Sequence, residues 1–390
     1  MCKVKFKEIA TITAGQAAPK EFSNNGLPFI RAGHLEELVS GSELNKIPKI
    51  NNEIAKKYKL KKLPKGSILF AKSGMSAKKN RIYISSEDSY FVSHLAAILP
   101  SENFNTNYLA RYLNWFNPTN LILDDAYPSI RLEDIKELEI LLPTLSDQQK
   151  IANILDKADE LRQYNKQLVE KYDALTQSLF LDMFGDPLNN EKKWEKKKLG
   201  ELGSFKNGLN YTKSENGKVV KILGVGDFKD FWKISNYSNL STIEIESFPS
   251  PDFLLKNGDL IFVRSNGNKD LVGRCLITYP NEEKVTYSGF CIRFRKSSLY
   301  LSDMYLVQLM RNKLFKKYIF KNGRGANIQN INQELLSKIE IQLPPINLQN
   351  KFAEFILQIE TQKQQAQEAL EKSEALFQSL LQKAFKGELS

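Results

Sequence analysis

The side chains best suited to chemistry in this sequence are basic and small polar residues gathered in loops around glycine. Lys72, Ser73, Ser76, Lys78, Lys79, Asn80 and Arg81 follow the apolar run Ile68–Ala71 and surround Gly74. A second group, Arg264, Ser265, Asn266, Asn268 and Lys269, follows Leu260–Val263 and surrounds Gly267. Lysine and arginine on loops neutralise phosphates, while Arg, Asn and Ser hydrogen-bond base edges when a loop enters a groove. The plainer role for either group is a solvated hairpin loop. Further candidates for the same chemistry are Lys20, Arg31 and His34, then Lys229 and Lys233, then Arg324 and Asn327 in the basic run 322–327. Trp232, beside Phe228 and Phe231, reads as core, and the lysines at 192–193 and 196–198 read as a charged linker.

Other chemistries find no support. There is no Gly-Lys-Ser/Thr phosphate loop, so ATP handling is not expected in this chain. A self-contained methyltransferase would show a Gly-rich cofactor loop after a strand and an Asn/Asp-Pro-Pro-aromatic loop, and neither is present. Asp124, Asp125, Glu133 and Asp134 lack the companions a nuclease site needs. Cys2, Cys275 and Cys291, with His34 and His94, offer no zinc-ligand spacing. No catalytic residue and no metal site are therefore expected.

The chain has 390 residues with 56 Lys and Arg against 45 Asp and Glu, a formal charge of +11. That balance favours a polyanionic partner. Three cysteines form no disulfide framework and suit a reducing cytoplasm. The start, residues 1–12, lacks an apolar signal region, and no apolar run reaches membrane-spanning length, so no membrane partner is expected.

The elements that must position these loops come from a duplication. Residues 142–186 align without a gap to 343–387, with 14 identities in 45 positions at an offset of 201. Each copy reads as a long helix of about 40 residues, about 60 Å if straight. In the first, Ile151, Ile154, Ala158, Leu161, Leu168, Tyr172, Leu175 and Leu179 recur at helical spacing. In the second, Phe352, Phe355, Ile356, Ile359, Ala366, Leu370, Leu376, Phe377, Leu380 and Leu381 supply the equivalent stripe. Ser146 with Gln149 is positioned for a capping box, and Gly185 with Asp186-Pro187 for a stop. A long helix with one apolar seam needs a partner, and its own repeat is the nearest one. The two are expected to pair as an intramolecular coiled coil, parallel or antiparallel.

The rest of each half repeats at lower identity. Lys5–Gly15 is echoed by Lys198–Gly208, Lys65–Ser73 by Asn257–Ser265, and Ile130–Pro143 by Ile331–Pro344. Short strands are expected at Pro28–Ile30, Ser67–Ala71, Arg81–Ile84 and Leu95–Leu99, and amphipathic helices at Thr106–Asn117 and Ser302–Phe320. The copies diverge most between Gly15 and Leu63 and between Gly208 and Leu254. A kept frame with changed loops suggests two related surfaces that read two different targets.

These features together resemble the specificity subunit of type I DNA restriction-modification systems over essentially the whole length. The carriers are Lys198–Glu201 and Leu202 after Trp194, Gly258–Ser265, Ile341–Pro345 running into Gln349 with its counterpart Leu142–Pro143 into Gln148, and the repeated Gln-Ser-Leu and Phe that close each long helix. The first half departs from the pattern in having no tryptophan before its opening strand. The resemblance implies an α+β fold with two similar target recognition domains, each a mixed sheet plus helices, at 1–144 and 188–344. Long spacer helices would occupy 145–187 and 345–390. It implies that each domain reads one half of a bipartite double-stranded DNA target, while the helices set the spacing and dock methyltransferase subunits, two per chain. Restriction subunits would join where present. S-adenosylmethionine, ATP and Mg would belong to those partner subunits, with none bound by this non-catalytic chain. The rival readings are a coiled-coil scaffold whose globes bind protein, and the recognition part of a single-chain modification enzyme.

Overall fold

A computed structural model describes residues 2–212, 217–228, 232–268, 271–322 and 330–389. Internal packing divides the chain into two units, Met1–Gln167 with Gln367–Ser390, and Leu168–Ala366. Both long helices are present, Leu145–Phe184 with 40 residues and Ile346–Lys386 with 41, and each contributes a segment to both units.

Within each unit the two helix segments run antiparallel. In the first, Asn165 Nδ2 donates to Ala369 O and Ser373 Oγ at 3.2 Å each, and Arg162 Nη1 meets Glu374 at 3.1 Å. The partner number rises as the first number falls. In the second, Asp173 pairs with Lys363, and Phe180 stacks edge-on against Phe352 at 5.7 Å. Backbone φ of +81° at Gly185 and at Gly387, a region that favours glycine, ends both helices.

Two expectations about these helices need correction. The first helix is capped by Thr144, not by Ser146 and Gln149. Leu145 is already helical, and Thr144 Oγ1 accepts from Asp147 N at 3.2 Å and donates to Asp147 Oδ2 at 2.7 Å. The seam also differs. Ile151 and Phe352 are buried and Leu168, Leu179, Ile359 and Leu380 are half-buried, but Ile154, Leu161, Leu175, Phe355 and Leu376 are exposed. At each of those five places the seam runs one residue later, through Leu155, Arg162, Thr176, Ile356 and Phe377. Adjacent apolar pairs such as Ile154-Leu155 and Leu376-Phe377 leave the choice of face to the partner. At Arg162 the partners are Asp159, Glu374 and the Phe377 ring, 4.9 Å from the guanidinium carbon.

Each unit carries the same strand frame. In the first, Ile12–Ala14, Leu95–Ile98, Ile68–Ala71 and Tyr83–Ile84 form one sheet in that order, and Lys49–Ile50, Leu27–Ile30 and Tyr90–Phe91 a second. In the second, Gly203–Asn207, Cys291–Lys296, Asp259–Val263 and Cys275–Thr278 repeat the first sheet, with Lys233–Ile234 added at its edge. Thr242–Ile245, Lys218–Leu223 and Val285–Tyr287 repeat the other. In the first unit Ile68–Ala71 and Leu95–Ile98, buried on both faces, are apolar throughout, whereas the buried strands of the second include Asp259, Thr278, Thr286 and Arg293.

A two-stranded pair ties each globe to its long helix: Cys2–Lys5 with Glu139–Leu142, and Glu195–Lys198 with Glu340–Leu343. Gln148 and Gln349, identical in the repeat and fully buried, reinforce the joint. Gln148 accepts from Asn105 N at 2.8 Å and donates to Pro143 O at 2.9 Å. Gln349 accepts from Ser302 N at 2.8 Å and donates to Pro344 O at 2.7 Å. Tyr108 and Tyr305 bond the strand carbonyls of Leu141 and Gln342 in the same way. These repeated polar residues are structural hardware. The expected helix at Ser302–Phe320 is two helices, Asp303–Arg311 and Lys313–Asn322, because Asn312 leaves the helical region and its Oδ1 caps the second at Leu314 N.

Candidate nucleic-acid interface

In both units the basic loop grows from the end of the central strand, and the same backbone bonds fix it. Beyond Ile68–Ala71, Lys72 N donates to His94 O at 2.9 Å and Lys72 O accepts from Ile130 N at 2.7 Å. Beyond Asp259–Val263, Arg264 N donates to Phe290 O at 2.8 Å and Arg264 O accepts from Ile331 N at 2.9 Å. Ser73 bridges to Ser129, and Ser265 to Asn330. Each site is thus a three-stranded joint: strand end, β-turn, and an extended segment arriving from more than fifty residues later.

Glycine holds the turn side of both joints. A Cβ on Gly15 would lie 2.1 Å from Phe91 O, and one on Gly208 would lie 2.0 Å from Ser288 O. The next residues then pair: Gln16 O accepts from Ser93 N at 2.8 Å, and Leu209 O from Gly289 N at 2.9 Å. No residue with a side chain fits so close a backbone approach.

The predicted site residues separate into three groups. Lys72, Ser73 and Ser76 are half-buried and Lys79 exposed in the first joint, and Arg264, Ser265 and Asn266 are half-buried in the second. Ser73 Oγ lies 2.7 Å from His94 Nδ1, and Asn266 Oδ1 accepts from Asn268 N at 2.7 Å. A second group is tied into its own unit. Arg81, mostly covered, pairs with Glu36 at 2.6 Å, Lys78 with Asp125 at 2.8 Å, and Asn80 donates to Asn114 O at 2.9 Å. Replacing Arg81 therefore disturbs packing before it reports on a ligand. Lys20, Arg31 and Lys233 stand exposed, Arg31 over the Phe22 ring and Lys233 beside the Trp232 ring. Lys229, Lys269, Arg324 and Asn327 lie outside the described residues.

Trp232 is buried, in line with its reading as core. His34 Nδ1 accepts from Arg31 N at 3.2 Å; burial and then the Arg31 charge hold its imidazole below the ordinary value. Sequence reasoning missed His94, Phe290, Met75 and Tyr127, all exposed around the joints. The available signal was positional: both turns follow a repeated strand, Tyr90–Phe91 or Val285–Tyr287, and precede another.

The buried thiols take no part. Burial pushes Cys275 and Cys291 up to about 12. No described helix is long and apolar enough to cross a membrane.

The joint and the paired helix segments recur in both units, and comparison with known proteins gives their class. The type I restriction modification DNA specificity domain matches residues 1–171 and again 191–372. The chain belongs to that family and carries two of its DNA-recognition domains. It is 25% identical over 416 residues to the StySPI type I restriction enzyme specificity subunit of Salmonella potsdam, covering 98% of this chain and 88% of that protein. It is also 25% identical over 276 residues to the EcoKI specificity subunit of Escherichia coli K12, covering 65% and 58%. Among solved structures, the S subunit of the M. genitalium type I restriction-modification system superposes with a TM-score of 0.55 at 16% identity, over 98% of this chain and 96% of that one. A chain from a structure on complex assembly and conformational transition of the type I system gives 0.59, also at 16%, over 100% and 98%. At that identity the structural likeness speaks to the fold.

Proposed function

We propose that the globes at 1–144 and 188–344 each read one half of a bipartite double-stranded DNA target. In this reading the helices at 145–187 and 345–390 act as spacers and dock methyltransferase subunits. The carrying observation is the joint itself: one backbone frame, built twice, holds a cation and a serine in both units while the neighbouring side chains differ. Two related frames with unlike rims suit two unlike half-sites read by a common geometry.

Docking of two methyltransferase subunits per chain is supported by the exposed apolar residues of the long helices. Ile154 and Leu376 in the first unit, and their repeat counterparts Phe355 and Leu175 in the second, are all left outside the seam. An exposed apolar residue that recurs at the same place in a duplication favours the same partner surface met twice. Restriction subunits would join through the same complex. Base flipping, S-adenosylmethionine, ATP and Mg would all fall to those partners, in the cytoplasm, with this chain supplying sequence choice alone.

The test is to map methylated adenines in cells that make the chain with its methyltransferase. A split sequence with a fixed unread gap is the expected result. Removing one heptad from each long helix, at matched positions, should shorten that gap; an unchanged gap would remove the spacer from the account.

A further inference from the structure

We propose that the turns Val92–Leu95 and Ser288–Cys291 carry the side chains that discriminate bases, His94 for one half-site and Phe290 for the other. This rests on the reading that each globe contacts half of a DNA target.

The two turns share one pattern of backbone hydrogen bonds. Leu95 N closes the first onto Val92 O at 3.0 Å, and Cys291 N closes the second onto Ser288 O at 2.8 Å. The carbonyls of His94 and Phe290 both accept from the cation-bearing strand end, Lys72 N or Arg264 N. The preceding residue is tied to the Gly15 or Gly208 side. A tip held from two directions has little room to shift, so its side chain is presented at a set place.

The side chains differ along the turn, Val92-Ser93-His94-Leu95 against Ser288-Gly289-Phe290-Cys291, and the exposed one in each is the tip. The cation and the serine persist as Lys72 with Ser73 and Arg264 with Ser265, which suits a part of DNA that does not vary, the phosphate backbone. The tip changes from an imidazole to a phenyl ring. Phe290 is 63% exposed, although Tyr287 just before its turn and Cys291 at its end are fully buried. Exposing a phenyl ring contributes nothing to folding, and beside a cation it suits an apolar feature of a polyanion. In the major groove that feature is the thymine C5-methyl. His94 has Nδ1 occupied by Ser73 Oγ at 2.7 Å, which orients the ring. Among the described residues its Nε2 has no partner, so it is placed to make one hydrogen bond to a base edge.

The experiment uses the full chain in complex with its methyltransferase and duplexes carrying the mapped target. Thymines are replaced one at a time by deoxyuridine, which removes only the methyl group. One such replacement, in the half-site of the second unit, should weaken wild-type binding about fourfold, the worth of one buried methyl. The same replacement should leave F290A unaffected, since its contact is already gone. H94A should lose about tenfold discrimination at one base pair of the other half-site and none in the half-site of Phe290. Both residues are exposed, and an unchanged melting temperature separates a binding effect from a folding one. The proposal is overturned if no uridine position distinguishes wild type from F290A, or if H94A leaves the methylated-sequence map unchanged. A wild-type complex that modifies no split sequence would instead overturn the underlying function, a separate result.

Discussion

The two units solve one structural problem with different material. Between Gly15 and Leu63 the first unit fills its face with short helices, Leu35–Val39 and Asn52–Lys57. Over the equivalent stretch both units keep a strand pair, Leu27–Ile30 with Lys49–Ile50 in the first and Lys218–Leu223 with Thr242–Ile245 in the second, but where the first has those helices the second adds Lys233–Ile234 to its main sheet. Beneath this difference the central strands, the glycine approach, the joint and the buried glutamine are common to both. The lesson is a division of labour along the chain. Residues that meet backbone or another repeat element are held, and residues that meet only solvent or a ligand are free to change. Gln148 and Gln349 illustrate the first kind, Phe290 the second.

The most drastic way to break this comparison is to exchange a whole globe. Replacing residues 1–141 with the corresponding globe of another family member should change one half of the methylated sequence entirely and leave the other half and the gap as they were. A change in both halves, read by methylation mapping, would show that the units do not act independently.

A smaller effect tests whether the frame is truly shared. Gln148→Leu and Gln349→Leu each leave a backbone N–H, of Asn105 or Ser302, without its acceptor. Each should cost about 3 kcal/mol, the scale of an abandoned buried donor. Chemical denaturation should give similar losses for the two variants. A large asymmetry would mean that one joint has been taken over by other contacts.

The first unit should also respond to acid through the ion cluster at its helix segments. There, burial opposes ionisation of Asp159, but hydrogen bonds from Arg162 and Arg111, with their charges, carry its carboxyl below the usual range. A folded value below the unfolded one means the contribution is complete above about pH 3.9 and disappears as pH falls through the lower folded value. Asp159→Asn should therefore flatten the acid limb of the stability profile. An unaltered limb in denaturation between pH 3 and 6 would refute this. The second unit has the more exposed Lys363–Asp173 pair at the corresponding level of its helix segments.

The smallest effect concerns single lysines of one loop. Lys79 is exposed, whereas Lys78 is paired with Asp125. If Lys79 meets a phosphate, Lys79→Ala should reduce the salt slope of DNA binding by about 0.9. Lys78→Ala should change the slope less, because part of its charge is already balanced. The reverse order would place Lys78 at the DNA.

Much of this architecture was legible in the residues. An ungapped repeat at an offset of 201 fixed two long helices, and the apolar runs at Ile68 and Leu260 fixed the strands from which the basic loops spring. Those are local properties: a run of apolar residues, a three-and-four spacing, a glycine after a helix. The loops were legible as basic, but charge says nothing of which cations are already spent. Arg81 looked like a ligand residue until Glu36, forty-five positions earlier, was seen beside it.

The sequence by itself determined that this protein is a duplicated frame with two long helices and a basic, loop-borne chemistry. Tertiary structure alone decided the antiparallel sense of the helix pair, the seam through Leu155 and Arg162 instead of Ile154 and Leu161, and the meeting of Lys72 with His94 and of Arg264 with Phe290. The physical reason is the same in each case. Helical period and strand alternation arise between neighbours and are written locally, whereas the face a helix buries and the turn a strand end meets are chosen by partners far away in the chain.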